Sequence, residues 1–289
     1  MRALILSILL GPLYLDGMGM KLGALLFTIF LTILTQVGGI ILWPFWGTVF
    51  SLFSLKSGSY RFLIRVGSFL LIYSVSTFLL VPVIAKKTGR QRLPLYVTDS
   101  LPLGPLTIVY PFLNRTYVRP HVYDVLVDAV TRAKKNHPDM VVRYLDANFP
   151  FPYIPLLPHL SHYDGQKIDV AFQFQKDGVY HDGARSPIGY WGYAKETKKR
   201  CEGIKNKYII PLRWDFDWLQ PLLPDLDLDI QKNRALFSAL AKDKRVCSIL
   251  LEPTLHGILS SPKLLPNSCN VARHDDHFHL TIKKKCSKK

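Results

Sequence analysis

Five of the nine histidines fall in two short clusters. The first reads His159-Leu160-Ser161-His162-Tyr163-Asp164-Gly165-Gln166-Lys167-Ile168-Asp169, the second Arg273-His274-Asp275-Asp276-His277-Phe278-His279. Imidazoles and carboxylates together are zinc ligands, with bonds of about 2.0–2.2 Å. Around the first cluster Ile168, Val170 and Phe172 alternate with Asp169, Ala171 and Gln173. Around the second, Phe278, Leu280 and Ile282 alternate with His277, His279 and Thr281. Alternation of this kind predicts strands, on which residues two apart share a face. Both strands then offer polar ligands on one face and a greasy core on the other. Pairing them would bring Asp169 beside His279, and Gly165 permits the tight turn that folds His162 back. His162, Asp169 and His279 thus form a three-ligand set whose fourth position is left for water, the catalytic rather than the structural pattern. His277 shares the His279 face and is surplus to the ligands, which makes it the natural general base or transition-state stabiliser. A histidine pair two apart is weak on its own; two clusters on alternating strands are far more specific. His121, His137, His181 and His256 have no such company and read as ordinary histidines.

The elements that must position these residues follow from periodicity. Val122, Val125, Leu126, Ala129, Val130 and Ala133 recur at helical spacing, and Pro138 ends that helix. Val141–Leu145 reads as a strand. A proline-rich loop, 149–158, leads into the first cluster. Residues 175–206 read as irregular, Ile230–Ala241 as a second helix, and Val246–Leu251 as a buried strand stopped by Pro253. Residues 121–289 are therefore expected to be α+β, a small and mostly antiparallel sheet with flanking helices carrying a zinc site. Tyr190, Trp191, Trp214 and Trp218 are candidates to shape a groove, with core packing the commoner use of any single aromatic.

Before this domain the composition changes. No charged residue occurs between Lys21 and Lys56 or between Arg65 and Lys86, gaps of 34 and 20 residues. A spanning helix needs about 20 apolar residues. Residues 1–85 therefore read as a membrane anchor of two or more helices, with Leu22–Leu42 and Val66–Ala85 as spans. A pair of shorter helices turning near Gly38-Gly39 is the alternative for the first gap. Residues 86–120, rich in proline, read as a linker or collar. Lys56, Arg61 and Arg65 form an acid-free loop, which places it in the cytoplasm and the domain outside; Lys86, Lys87, Arg90 and Arg92 argue the reverse. The expected location is the inner (plasma) membrane, multi-pass, with the domain extracytoplasmic and lipid contacting the N-terminal helices. The net charge is +16 and most of it lies beyond residue 85, which favours an anionic partner. No basic helix or aromatic–basic interleaving suggests nucleic acid. Cys201, Cys247, Cys269 and Cys286 lack the CxxC spacing of a cysteine zinc site and permit two disulfides outside the cytoplasm.

His159-x-x-His162-x-x-Gly165-x-x-x-Asp169 together with His274-x-x-His277-x-His279 resembles the penicillin-insensitive murein endopeptidases. These belong to the group that also holds lysostaphin-type enzymes, D-alanyl-D-alanine peptidases and the hedgehog amino domain. The resemblance covers roughly residues 120–283. It implies an α+β fold and one zinc ion on His162, Asp169 and His279. It also implies that His274 and His277 are catalytic and that His159 lines the site. Lys167, Ala272-Arg273 and Thr281 depart from the family pattern around the site, which bears on substrate more than on metal. The expected activity is zinc-dependent hydrolysis of peptide bonds in peptidoglycan cross-links. No GxSxG elbow points to a serine hydrolase. Two rivals differ in class. A non-catalytic zinc module binding a peptide or protein would keep the ligands without needing His277. A phosphohydrolase would carry its His274-Asp275 pair on helices, whereas the surrounding alternation reads as strand.

Overall fold

The structure is a computed structural model that describes residues 18–52, 59–196, 213–266 and 272–286. It is α+β, with several small sheets and helices on their flanks. Helices α1 (Met18–Thr35) and α2 (Gly38–Leu52) form a tight hairpin turning at Gln36-Val37. The long span expected over Leu22–Leu42 is thus broken in two. Gln36 turns the chain with φ +64°, and the Thr35 hydroxyl accepts from the Gly38 amide, capping the break. Helix α3 (Ser59–Val75) passes through a π-turn at Ser76–Leu80 into α4 (Val81–Lys87). Among the described residues one continuous helix, Leu63–Lys87, is long and apolar enough to cross a membrane; Lys21–Thr35 is apolar but shorter. The expectation of several spans is therefore not carried by helix length and composition.

After Gly89 the chain enters the folded domain without a break. Strand β1 (Gln91–Arg92) pairs with β3 (Tyr117–Val118). Strand β2 (Leu103–Pro105) edges the main sheet, and a short helix, α5 (Val109–Phe112), lies between β2 and β3. Leu93, Leu103 and Val118 are fully buried in the principal core. Residues 86–120 are thus part of the domain rather than a linker, because their apolar side chains complete its core.

Helix α6 (Pro120–Lys134) starts on a proline at its first turn, where no amide partner is needed. Its whole predicted stripe, Val122 to Ala133, is buried. Each such Val or Leu contributes about 1.5–3 kcal/mol. It packs beside α7 (Ile230–Ala241), whose Asp229 cap accepts from the Lys232 amide. Strands β4 (Val142–Tyr144), β5 (Lys167–Ala171), β9 (Val246–Leu251), β10 (Leu264–Pro266) and β11 (His277–Ile282) join β2 in a six-stranded sheet. Its order is β10-β9-β11-β5-β4-β2; the inner pairings are antiparallel and the two outermost parallel. The stretch expected to be irregular contributes a second small sheet, β6 (Phe174–Lys176) between β7 (Val179–His181) and β8 (Asp227–Leu228). A disulfide joins Cys247 on β9 to Cys286. Cys201 and Cys269 lie outside the described residues.

Candidate metal centre

Strands β5 and β11 pair antiparallel with His279 directly opposite Asp169 and His277 opposite Ala171. Ile168, Val170, Phe278 and Leu280 fill the core on the other face. The pairing arises because each strand has a continuous apolar face, so any one-residue slip would turn the carboxylate into the apolar core and the core side chains out of it. Asp169 is fully buried. Its Oδ1 lies 2.8 Å from His279 Nδ1 and 3.4 Å from His162 Nε2, and those two nitrogens are 3.1 Å apart. Three ligand atoms arranged tetrahedrally at zinc bond lengths would stand about 3.3–3.6 Å from one another. The observed triangle needs to open by about half an ångström along its shortest side.

The ligand-type atoms of His159, His162 and Asp169 also lie within 4.8 Å of one another. His159 Nδ1 is 2.7 Å from Asp169 Oδ2. His159, expected only to line the site, is therefore close enough to rival His279 as the third ligand. Rings of the five clustered histidines surround the carboxylate. His162 is 4.9 Å from His279 and 5.3 Å from His159, and His274 is 4.8 Å from His277. The donor chemistry fits a metal. His162 uses Nδ1 on the Ala147 carbonyl, which fixes its proton there and leaves the Nε2 lone pair facing the triangle. His279 Nδ1 faces both Asp169 Oδ1 and His162 Nε2, so the three ligand-type atoms converge.

Local chain geometry brings His162 into the triangle. Gly165 adopts φ +77°, where a Cβ would stand 1.3 Å from Arg90 Nη1. Arg90 is buried and donates from Nη2 to the Tyr163 carbonyl at 2.7 Å. Burial, helped by the neighbouring Arg119, pulls its pKa down to about 10. The Asn148 side chain accepts from the Gly165 amide and donates to the Lys167 carbonyl, closing the loop on β5. Lys167 donates to the Ser161 carbonyl and lies over the Tyr163 ring.

Two further residues join the site. The Tyr190 hydroxyl donates to Asp169 Oδ2 at 2.9 Å and accepts from the Asp146 amide. Burial, with the Asp146 and Asp169 carboxylates adding to it, holds this phenol well above its ordinary pKa, so it remains a donor. Tyr190 was legible only as a groove aromatic. Asp276 Oδ1 takes the Nδ1 proton of His277 at 2.6 Å, while its Oδ2 accepts from the Trp191 amide. Strand alternation could not place Asp276, because β11 begins one residue later. The His277 Nε2 therefore faces the site, 3.7 Å from Asp169 Oδ2 and without a hydrogen-bond partner. Burial alone would lower the His277 pKa, but Asp276 and Asp169 outweigh it and raise it to about 9. Burial lowers His279 to about 4, against the pull of Asp169. His274 is held neutral by burial and by His277 and His279 beside it; its Nδ1 bonds to the Ala272 carbonyl. Trp191, Trp214 and Trp218 are partly exposed and cluster around Phe216.

No protein-family model matches this chain, and no curated protein matches it.

Proposed function

We propose that the protein is a membrane-anchored zinc peptidase whose domain lies outside the cytoplasm and whose substrate is the peptide of peptidoglycan cross-links. The observation that carries this reading is the convergence of His162 Nε2, Asp169 Oδ1 and His279 Nδ1 to within 3.4 Å of one another, with an orphaned His277 nitrogen beside them. A zinc ion held there would polarise a scissile carbonyl and lower the pKa of a water. The chain's own residues supply the rest. Asp276 holds the His277 ring with Nε2 facing the site, and the raised pKa keeps that nitrogen protonated near neutral pH, so that it can donate to a developing oxyanion or to the leaving amine. His274 keeps a neutral ring against His277. Tyr190 orients Asp169 by occupying its outer oxygen, an interaction that outer-shell partners commonly make.

The helix arrangement supports the proposed sidedness. Val37 in the hairpin turn and Ile41 on α2 pack with Tyr73 and Val81, and Leu42 and Phe45 pack with Phe69, so α2 runs antiparallel to α3–α4. Lys21 and Arg65 then fall toward the end away from the domain. On the domain side Arg90 is buried against the loop after His162, and Arg92 donates to the Phe78 carbonyl. These two arginines serve the fold, which removes much of the counter-argument from the basic residues after the span. The Cys247–Cys286 disulfide accords with an oxidising compartment.

The test is digestion of purified sacculi by the full-length protein in detergent, with a zinc chelator and a His277→Ala variant as controls. The reading requires release of soluble cross-link products that both controls abolish. A zinc-loaded protein that releases none, and cuts no small D-amino-acid peptide, would instead be a binding module.

A further inference from the structure

The loop that feeds the metal centre is bolted to the apolar helices. Gln36, at the tip of the α1–α2 hairpin, makes a two-way amide pair with Phe151: its Nε2 donates to the Phe151 carbonyl at 2.9 Å, and its Oε1 accepts from the Phe151 amide at 2.8 Å. Thr88 donates to the Pro150 carbonyl, and the Phe151 ring packs against the Val37, Tyr73, Val81 and Ala85 cluster. A second tether lies alongside, where the buried Asn114 amide donates to the Tyr73 and Thr77 hydroxyls. The loop therefore leaves the helices at a fixed point.

From that point to Tyr163 the chain holds no Asp, Glu, Lys or Arg. It nonetheless exposes Tyr153, Ile154, Leu157, Leu160 and Tyr163, with Tyr153 86% exposed. Tyr153 also takes φ +72°, a left-handed conformation costly for a bulky side chain and uncompensated by burial. His159 and His162 lie within this same apolar stretch. Helices α1 and α3–α4 also expose apolar side chains, including Leu22, Phe30, Leu71 and Leu79, and their buried hairpin tip is where the loop is anchored at Phe151. Lys86 and Lys87, exposed at the end of α4, stand where lipid headgroups would meet them.

We infer that the 151–163 loop seats its apolar side chains in the surface layer of the same phospholipid bilayer that holds the helices, so that the metal centre opens at the membrane and takes peptide tethered to lipid. Tyrosines with an apolar body and a polar tip suit that layer, and so do prolines whose backbone needs no strand partner. The lipid contact stands on the loop itself; the tethered substrate rests on the peptidase reading above.

The experiment uses the full chain reconstituted in vesicles of phosphatidylethanolamine and phosphatidylglycerol doped with a phospholipid carrying a shallow photoreactive group. After irradiation, adducts are mapped by mass spectrometry. We expect adducts on the peptide spanning 151–163 as well as on α1 and α3, and none on peptides bearing Tyr96 or Val179, which are exposed apolar residues elsewhere. The double variant Tyr153→Asp, Ile154→Asp should lower labelling of the loop by roughly tenfold while leaving that of the helices unchanged. Labelling of 151–163 no higher than that of the Val179 peptide would overturn the inference. In parallel, one D-alanyl peptide is offered free and coupled to lipid in the same vesicles. Tethering should raise its hydrolysis by roughly 10²-fold through effective concentration, with the double variant retaining the free-peptide rate. Adducts without hydrolysis of either peptide would sink the peptidase reading and leave the bilayer seating intact. Equal hydrolysis of both peptides without adducts would do the opposite.

Discussion

Replacing Gly165 with alanine should damage both the fold and the metal centre, by an amount that can be divided between two causes. The first is conformational: at φ +77° an L side chain costs about 1–2 kcal/mol. The second is the collision of the new Cβ with Arg90 Nη1, 1.3 Å away. Arg90 cannot move without giving up its 2.7 Å bond to the Tyr163 carbonyl in a buried setting, and a hydrogen bond from a charged group contributes about 1.5–3 kcal/mol. The sum is about 2.5–5 kcal/mol. The assay is a double-mutant cycle on the full chain, with denaturant unfolding of wild type, Gly165→Ala, Arg90→Ala and the pair. In the Arg90→Ala background the collision is gone, so Gly165→Ala should cost only its conformational part. The coupling between the two sites should then be about 1.5–3 kcal/mol. Additive costs would refute the reasoning, because they would mean Arg90 does not occupy the space that Gly165 leaves. Gly165→Ala should also weaken zinc retention, since His162 enters the site on this loop.

The remaining predictions concern chemistry and sidedness. His277→Ala should keep metal and fold and lose peptide hydrolysis by about 10²–10⁴-fold, measured on sacculi; Asp276→Asn should lose activity in the same direction, by freeing the His277 tautomer. Zinc affinity, followed by competition with a chelator, should fall as pH is lowered. Burial opposes the charge on His162, but the adjacent Asp169 outweighs it and raises its pKa, so the metal must displace a proton there. A periplasmic-type reporter fused after residue 289 should be active; activity only of a cytoplasmic reporter would reverse the orientation and remove the cell-wall substrate from reach.

Much of the centre was legible because strand alternation is strict. Phe278 and Leu280 fix which way His277 and His279 point, and Ile168 and Val170 do the same for Asp169. The facing of Asp169 and His279 follows once the two apolar faces share a core. The helix at Ile230–Ala241 and the strand at Val246–Leu251 were legible to the residue for the same reason. What escaped notice depends on contacts distant in sequence. Leu93, Leu103 and Val118 sit among prolines, so no periodicity reveals that residues 86–120 complete the core. The break at Gln36-Val37 was legible only as an alternative, a pair of shorter helices turning near Gly38-Gly39, because hydropathy cannot choose a division within an uncharged run. Gln36 is stabilised there by Phe151, 115 residues away. Tyr190 reaches Asp169 from a loop of irregular structure, and Asp276 acts from just outside the strand whose alternation placed its neighbours.

The central claim is that His162, Asp169 and His279 hold one metal ion. The most direct measurement is zinc content per chain of the purified full-length protein and of His162→Ala, Asp169→Ala, His279→Ala and His159→Ala. The account predicts about one zinc in the wild type, loss in the first three variants, and retention in His159→Ala. Zinc retained by all of the first three would contradict it, and retention by His279→Ala with loss in His159→Ala would move the third ligand to the neighbouring loop.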